Sequence, residues 1–290
     1  MKTGRIVAAT AVVAAVGVVG PIASAATPKP GTDTTTNWAG YTVVDSAATP
    51  VSFTFATATW KQPALTCGAG ASRTAIWVGL GGATGSQDLE QLGTDSDCAA
   101  GKAQYAAFYD VVPNPGGVVK RFPIRAGDIL AVTVSTAQGG ADVRFRMENV
   151  TRKLVFSGSL PVPPGERHSA EWIVEAPSGC NNVACEQADL ANFGTVSFTK
   201  VATVGNGHSG TILDPRWHAT ADSLRPALSQ IVDTGLSHGA APEALAGNGS
   251  SFEVEWLSHT AIVTHRTNPK PPAAKPAPYI AGPREASAGS

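Results

Sequence analysis

"DVRFRMENV", Asp142–Val150, alternates with a period of two: Val143, Phe145 and Met147 are apolar, while Arg144, Arg146 and Glu148 between them are charged. Successive side chains of a strand point to opposite faces, so this is the pattern of a strand with one face in a core and one in water. Runs of the same kind lie on either side: "NWAGYTVV", "VSFTFATATW", "TAIWVGL", "AQYAAFYDVV", "ILAVTVSTA", "KLVFSGSL", "AEWIVEA", "TVSFTKVAT" and "SFEVEWL", separated by Gly, Pro, Asn and Asp. Helical periodicity is nearly absent, and "PEALAG" offers one turn at most. Many short strands at this spacing predict an all-β fold, a sandwich or a barrel.

The two ends read differently. "MKTGR" leads into the apolar run "IVAATAVVAAVGVV" and on to "ASA" at Ala23–Ala25, the small-x-small form of an export cleavage site, so residues 1–25 are expected to be a signal peptide. The run is too short and too rich in alanine and glycine to span a membrane, which needs roughly 20 apolar residues. Residues 26–35 then read as a flexible lead-in, 36–265 as one β-domain and the Pro/Ala-rich 266–290 as a disordered tail. The expected product is secreted, extracellular and monomeric.

Without Lys2 and Arg5 the chain keeps 19 basic residues against 22 acidic ones, a net charge of about −3 that gives no electrostatic case for nucleic acid. Four cysteines in an exported chain point to two disulfides. Cys180 and Cys185 can close the small loop "CNNVAC", which leaves Cys67 and Cys98 for each other. Neither Cys-x-x-Cys nor His-x-x-x-His occurs, so no metal site is expected. "GHSG" at Gly207–Gly210 misses the spacing of a serine-hydrolase elbow because Thr211 stands in the last position.

"AEWIVE", Ala170–Glu175, sets two carboxylates four residues apart. In a strand Glu171, Ile173 and Glu175 share one face while Trp172 and Val174 take the other. Four residues at about 3.3 Å each hold the two carboxylates roughly 13 Å apart, beyond the roughly 5–9.5 Å between the acid and base of a glycosidase. A reacting partner must therefore come from another strand. The plain alternative is that both glutamates solvate an outer face.

"TNWAGY" (36–41), "AIWVGLGG" (75–82), "LEQLGTD" (89–95), "YAAFYDVVP" (105–113) and "AEWIVE" occur in an order that resembles the glutamic peptidases, the eqolisins. The resemblance implies a concanavalin A-like β-sandwich of two large antiparallel sheets with a catalytic glutamine and glutamate on its concave face. Motif to motif, these fall on Gln91 and Glu175. It also places Trp77, Asp95 and Asp110 around the site as substrate-binding or supporting residues. Two positions depart: Gly81 and Ala106 stand where relatives often carry acidic residues.

The implied function is an acid endopeptidase acting on polypeptides without a cofactor, and resistance to pepstatin-type inhibitors is expected with it. A carboxylate can take a proton from an attacking water and return it to the leaving nitrogen. An amide can orient that water and donate to the developing oxyanion. A group with a reference pKa of about 4.3 suits acid, where histidine would be protonated and idle. The alternative is a non-catalytic carbohydrate-binding sandwich of the same fold, for which exposed Trp38, Trp60 or Trp217 would supply stacking surfaces.

Overall fold

The structure is a computed structural model that describes residues 29–45, 50–83, 88–180, 185–225 and 238–258. Residues 1–25, expected to be a signal peptide, and residues 266–290, expected to be a tail, lie outside the described residues.

The strands in chain order begin with β1 (Gly31–Thr35), β2 (Trp38–Val44), β3 (Phe53–Lys61), β4 (Ser72–Gly81), β5 (Leu89–Ala99), β6 (Lys102–Val112), β7 (Asn114–Val118), β8 (Ile129–Thr136) and β9 (Asp142–Asn149). They continue with β10 (Leu154–Pro161), β11 (Ser169–Glu175), β12 (Ser178–Cys180), β13 (Cys185–Gln187), β14 (Thr195–Gly205), β15 (His208–Gly210), β16 (His218–Leu224), β17 (Gly239–Pro242) and β18 (Phe252–Leu257). Among the described residues the helical content is a single 3-10 turn at Gly247–Gly249, so "PEALAG" forms no α-helix. No helix among them is long and apolar enough to cross a membrane.

Hydrogen bonding runs unbroken through β10-β9-β8-β3-β14-β18-β17-β16-β2-β11-β4-β5-β6-β7, a curled sheet that is antiparallel along this path. Two separate sheets were expected, and β14 is the reason for the difference. Its first residues, Thr195–Phe198, pair with β18, and from Thr199 onward it pairs with β3 across an irregularity between Thr199 and Ala202. Such a break bends a strand and lets it serve both halves of a fold.

The halves pack against each other through their apolar faces. Val143, Phe145 and Met147 of β9 meet the same core as Ile76, Val78 and Leu80 of β4 and Trp172 and Val174 of β11, all buried. Trp172 Nε1 crosses from β11 to donate to the Thr57 carbonyl of β3 at 2.9 Å. Tyr109 of β6 likewise stacks on Phe156 of β10, ring centres 6.2 Å apart. The alternation read from "DVRFRMENV" is present residue by residue in β9.

Gly31–Thr35, expected within a flexible lead-in, instead pairs in parallel with β16 from Thr220 to Leu224. Its three threonines favour extended backbone, and Thr35 is buried, its hydroxyl bonding both the amide and the carbonyl of Trp38. Cys67 and Cys98 form the expected disulfide. Cys180 and Cys185 lie opposite each other in the β12–β13 pair, while their side chains lie outside the described residues.

Candidate active site

Strand β4 lies between β11 and β5, and both its faces are buried, which is why "AIWVGL" reads as a nearly continuous apolar run. The face turned away from the main core carries Trp38, Ala75, Trp77, Leu89, Phe108, Val112 and Ile173 as a second, smaller apolar cluster. Glu171 and Glu175 of β11, Gln91 of β5 and Asp110 of β6 rise from that same face. The register sets two rows: Glu175 opposite Ala75 and Ala75 opposite Asp95, then Glu171 opposite Gly79 and Gly79 opposite Gln91. Gln91 and Glu175 thus share a face, offset by four residues along the strands.

Glu175 is fully buried and held from two sides. Asn37 Nδ2 donates to Oε1 at 3.1 Å and Trp77 Nε1 to Oε2 at 2.8 Å. Trp38 packs edge-on against Trp77 with ring centres 5.0 Å apart, completing a wall around the carboxyl. Burial pushes the Glu175 pKa up to about 8, against the pull of the N–H donors, and the charge of Asp110 pushes the same way.

Gln91 is also fully buried, and its Nε2 donates to Asp110 Oδ2 at 3.4 Å. Among the described residues its Oε1 has no hydrogen-bond partner, so an acceptor is left over on this face. Asp110 Oδ1 accepts from the amide of Val111 at 3.0 Å, and the Gly116 amide also bonds this carboxyl. A side chain at Gly116 would sit 2.6 Å from Asp110 Oδ1, so only glycine lets β7 close down there. Burial lifts the Asp110 pKa to about 7.

Asp95 stands at the rim. Arg73 reaches it at 2.6 Å and Asp97 at 2.6 Å, and burial outweighs that pairing to leave Asp95 at about 6. The two departures now have local explanations. Ala106 faces Asp95 across β5 and β6, where Arg73 already neutralises the acid from the other side. Gly81 has φ +85°, and a Cβ there would lie 2.4 Å from the Asp88 carbonyl, so this backbone excludes an aspartate; Asp110 holds the Gln91 amide instead.

Glu171 and Glu175 are wholly buried, which excludes the outer-face solvation reading. Glu171 Oε2 lies over Gly79, 3.2 Å from where a Cβ would stand. Sequence reasoning missed Asn37, Glu171 as a buried acid, and Asp222, which lies opposite Gly40 of β2 and is fully buried. "TNWAGY" held the signal for Asn37, because it places a polar residue just before a strand that borders β11. Trp38, Trp60 and Trp217 are at most 4% exposed, so none offers a free stacking surface. Trp60 packs on Phe198 and Trp217 on Phe53, which accounts for the last two.

Among the described residues no group of three or more His, Cys, Asp or Glu side chains is arranged to hold a metal ion. "GHSG" is a hairpin: Asn206 and Gly207 both have positive φ, as a tight turn between β14 and β15 requires, and His208 bonds Asp214 at 2.6 Å.

Residues 36–223 match the model of the Peptidase A4 family. Aspergillopepsin-2 of Aspergillus niger is 33% identical over 135 residues, 45% of this chain and 46% of that protein, so the match spans about half the length of this curated relative. Scytalido-glutamic peptidase, solved with a transition-state analogue inhibitor, superposes with a TM-score of 0.62 at 23% identity over 77% of this chain and 98% of that one. SCP-B, an eqolisin solved with the tripeptide Ala-Ile-His, gives 0.58 at 23% identity over the same 77% and 98%. These likenesses establish a shared fold.

Proposed function

The chain belongs to the Peptidase A4 family, and from that premise we propose that it is a secreted glutamic endopeptidase hydrolysing polypeptides at acidic pH with Glu175 and Gln91. The observation that carries the reading is one buried sheet face that bears both a carboxyl held by two N–H donors and, two strands across and four residues along the register, an amide with an unused acceptor. The facing halves of the curled sheet support a concanavalin-like sandwich as the frame. Export rests on the sequence of residues 1–25.

A pKa near 8 decides the order of proton transfers. In acid Glu175 starts protonated, so it acts through both oxygens at once. One oxygen gives its proton to the scissile carbonyl oxygen while the other takes a proton from the attacking water, and a neutral tetrahedral diol forms. Gln91 Oε1 orients the water, and the Nε2 hydrogen not used by Asp110 faces the carbonyl oxygen as charge gathers there. In the second step Glu175 protonates the amide nitrogen and accepts a proton from the diol. The C–N bond breaks, leaving a carboxylic acid, an amine and Glu175 protonated as at the start.

Incubating the protein with a denatured polypeptide across the acid range, and identifying the new termini by mass spectrometry, tests this reading. Internal cleavage that pepstatin-type inhibitors leave untouched is the expected result. No cleavage at any pH would return the chain to the binding alternative, which the buried tryptophans already disfavour.

A further inference from the structure

Glu90 and Arg167 form an ion pair that the chemistry above does not use. Side chains alternate along β5, so Glu90 points into the main core while Gln91, the next residue, points to the candidate site. Their side chains are 1% and 3% exposed. The guanidinium grips both carboxylate oxygens: Nε lies 3.2 and 3.1 Å from Oε1 and Oε2, and Nη2 lies 2.7 Å from Oε1. The rest of the fork is committed to the backbone, Nη1 to the Gly165 carbonyl at 2.6 Å and Nη2 to the Pro163 carbonyl at 3.2 Å. The Arg167 carbonyl accepts from the Phe53 amide at 2.7 Å, which fixes the arginine to the start of β3 as well.

This pair spans β4. Ala170 of β11 lies opposite Leu80, which lies opposite Glu90, and Arg167 stands three residues before Ala170. The segment that feeds the strand of Glu175 is therefore tied to the residue beside Gln91. Two apolar side chains would fill this volume as stably, because desolvating two charges offsets much of their attraction. What a bidentate pair adds is direction: it accepts one placement of the carboxylate relative to the guanidinium.

We propose that Glu90 and Arg167 are positioning residues that set where Gln91 stands relative to Glu175. This rests on the peptidase reading of those two residues. The single changes Glu90→Gln and Arg167→Met each strand a buried group and destabilise the fold, so the informative variant is the double Glu90→Leu/Arg167→Met, which replaces both charges by apolar groups of similar size. It is expected to keep the parental melting temperature within a few degrees and the parental KM within about twofold. Its kcat should fall at least about tenfold, since a displacement of about 1 Å can cost about a hundredfold.

The side-chain amide resonances of Gln91, assigned with Gln91→Ala and followed by NMR, should shift or broaden in the same double variant. An active parent whose double variant keeps its kcat overturns the proposal. A parent that hydrolyses nothing instead fails the peptidase reading, and the positioning role is then judged by the Gln91 resonances alone: movement supports it and unmoved signals overturn it.

Discussion

Trp77 Nε1 donates a 2.8 Å hydrogen bond to Glu175 Oε2, and both side chains are fully buried. The bond favours the ionised carboxyl, while burial favours the neutral one and prevails, at about 8. In Trp77→Phe the donor is gone and the pKa must rise further. The neutral form is the competent one in the proposed cycle, so kcat/KM should fall as pH rises through about 8 in the parent and through a higher pH in the variant. Activity at low pH should drop about tenfold from lost positioning. A pH–rate profile checks both, and a parental profile that climbs through neutrality would show that ionised Glu175 is the working form.

Asp110 acts on both proposed residues, accepting from Gln91 and adding charge near Glu175. Asp110→Asn removes that charge, so the descending limb should move to lower pH. The same change weakens the hold on the Gln91 amide, and kcat should fall by about tenfold or more. The pH profile and kcat together separate the two effects.

Stability should depend on pH with an unusual sign. The unfolded chain releases the Glu175 proton near 4.5 and the Asp110 proton near 3.8, whereas the folded protein holds them to about 8 and about 7. Between those limits the folded state binds more protons, so their contribution is complete below the unfolded values and is lost as pH rises through 7 and 8. The melting temperature should therefore fall between about pH 5 and about pH 9. Glu175→Gln, neutral throughout, should flatten that fall and exceed the parent at the alkaline end. Calorimetry over this range decides it; a parental melting temperature that climbs with pH would contradict the shifts.

The Cys67–Cys98 disulfide closes a loop with a sequence separation of 31. Loop-closure entropy for that length is about 3–4 kcal/mol, so the Cys67→Ser/Cys98→Ser double variant should lose roughly that much in denaturant titration.

The strand alternation of β9, the single face shared by Glu171, Ile173 and Glu175, and the pairing of Cys67 with Cys98 were legible because each depends on local pattern or on spacing. The burial of both glutamates was not, because it is set by β4 on one side of β11 and β2 on the other, which no local pattern encodes. The hold of Asp110 on Gln91 was hidden for a related reason: it requires the register that puts residue 91 opposite residue 110. Likewise, nothing local in "TVSFTKVAT" announces that β14 changes partners partway along.

Whether Glu175 and Gln91 together perform the hydrolysis is read most directly from kcat/KM on one peptide for the parent, Glu175→Gln, Gln91→Ala and Glu171→Gln, each confirmed folded. Losses of at least about a hundredfold are predicted for the first two variants, the scale of removing a proton-transfer group or an oxyanion donor, with a smaller loss for the third. A Glu175→Gln protein that still cleaves while Glu171→Gln is dead would contradict the account and move the chemistry to the other buried glutamate.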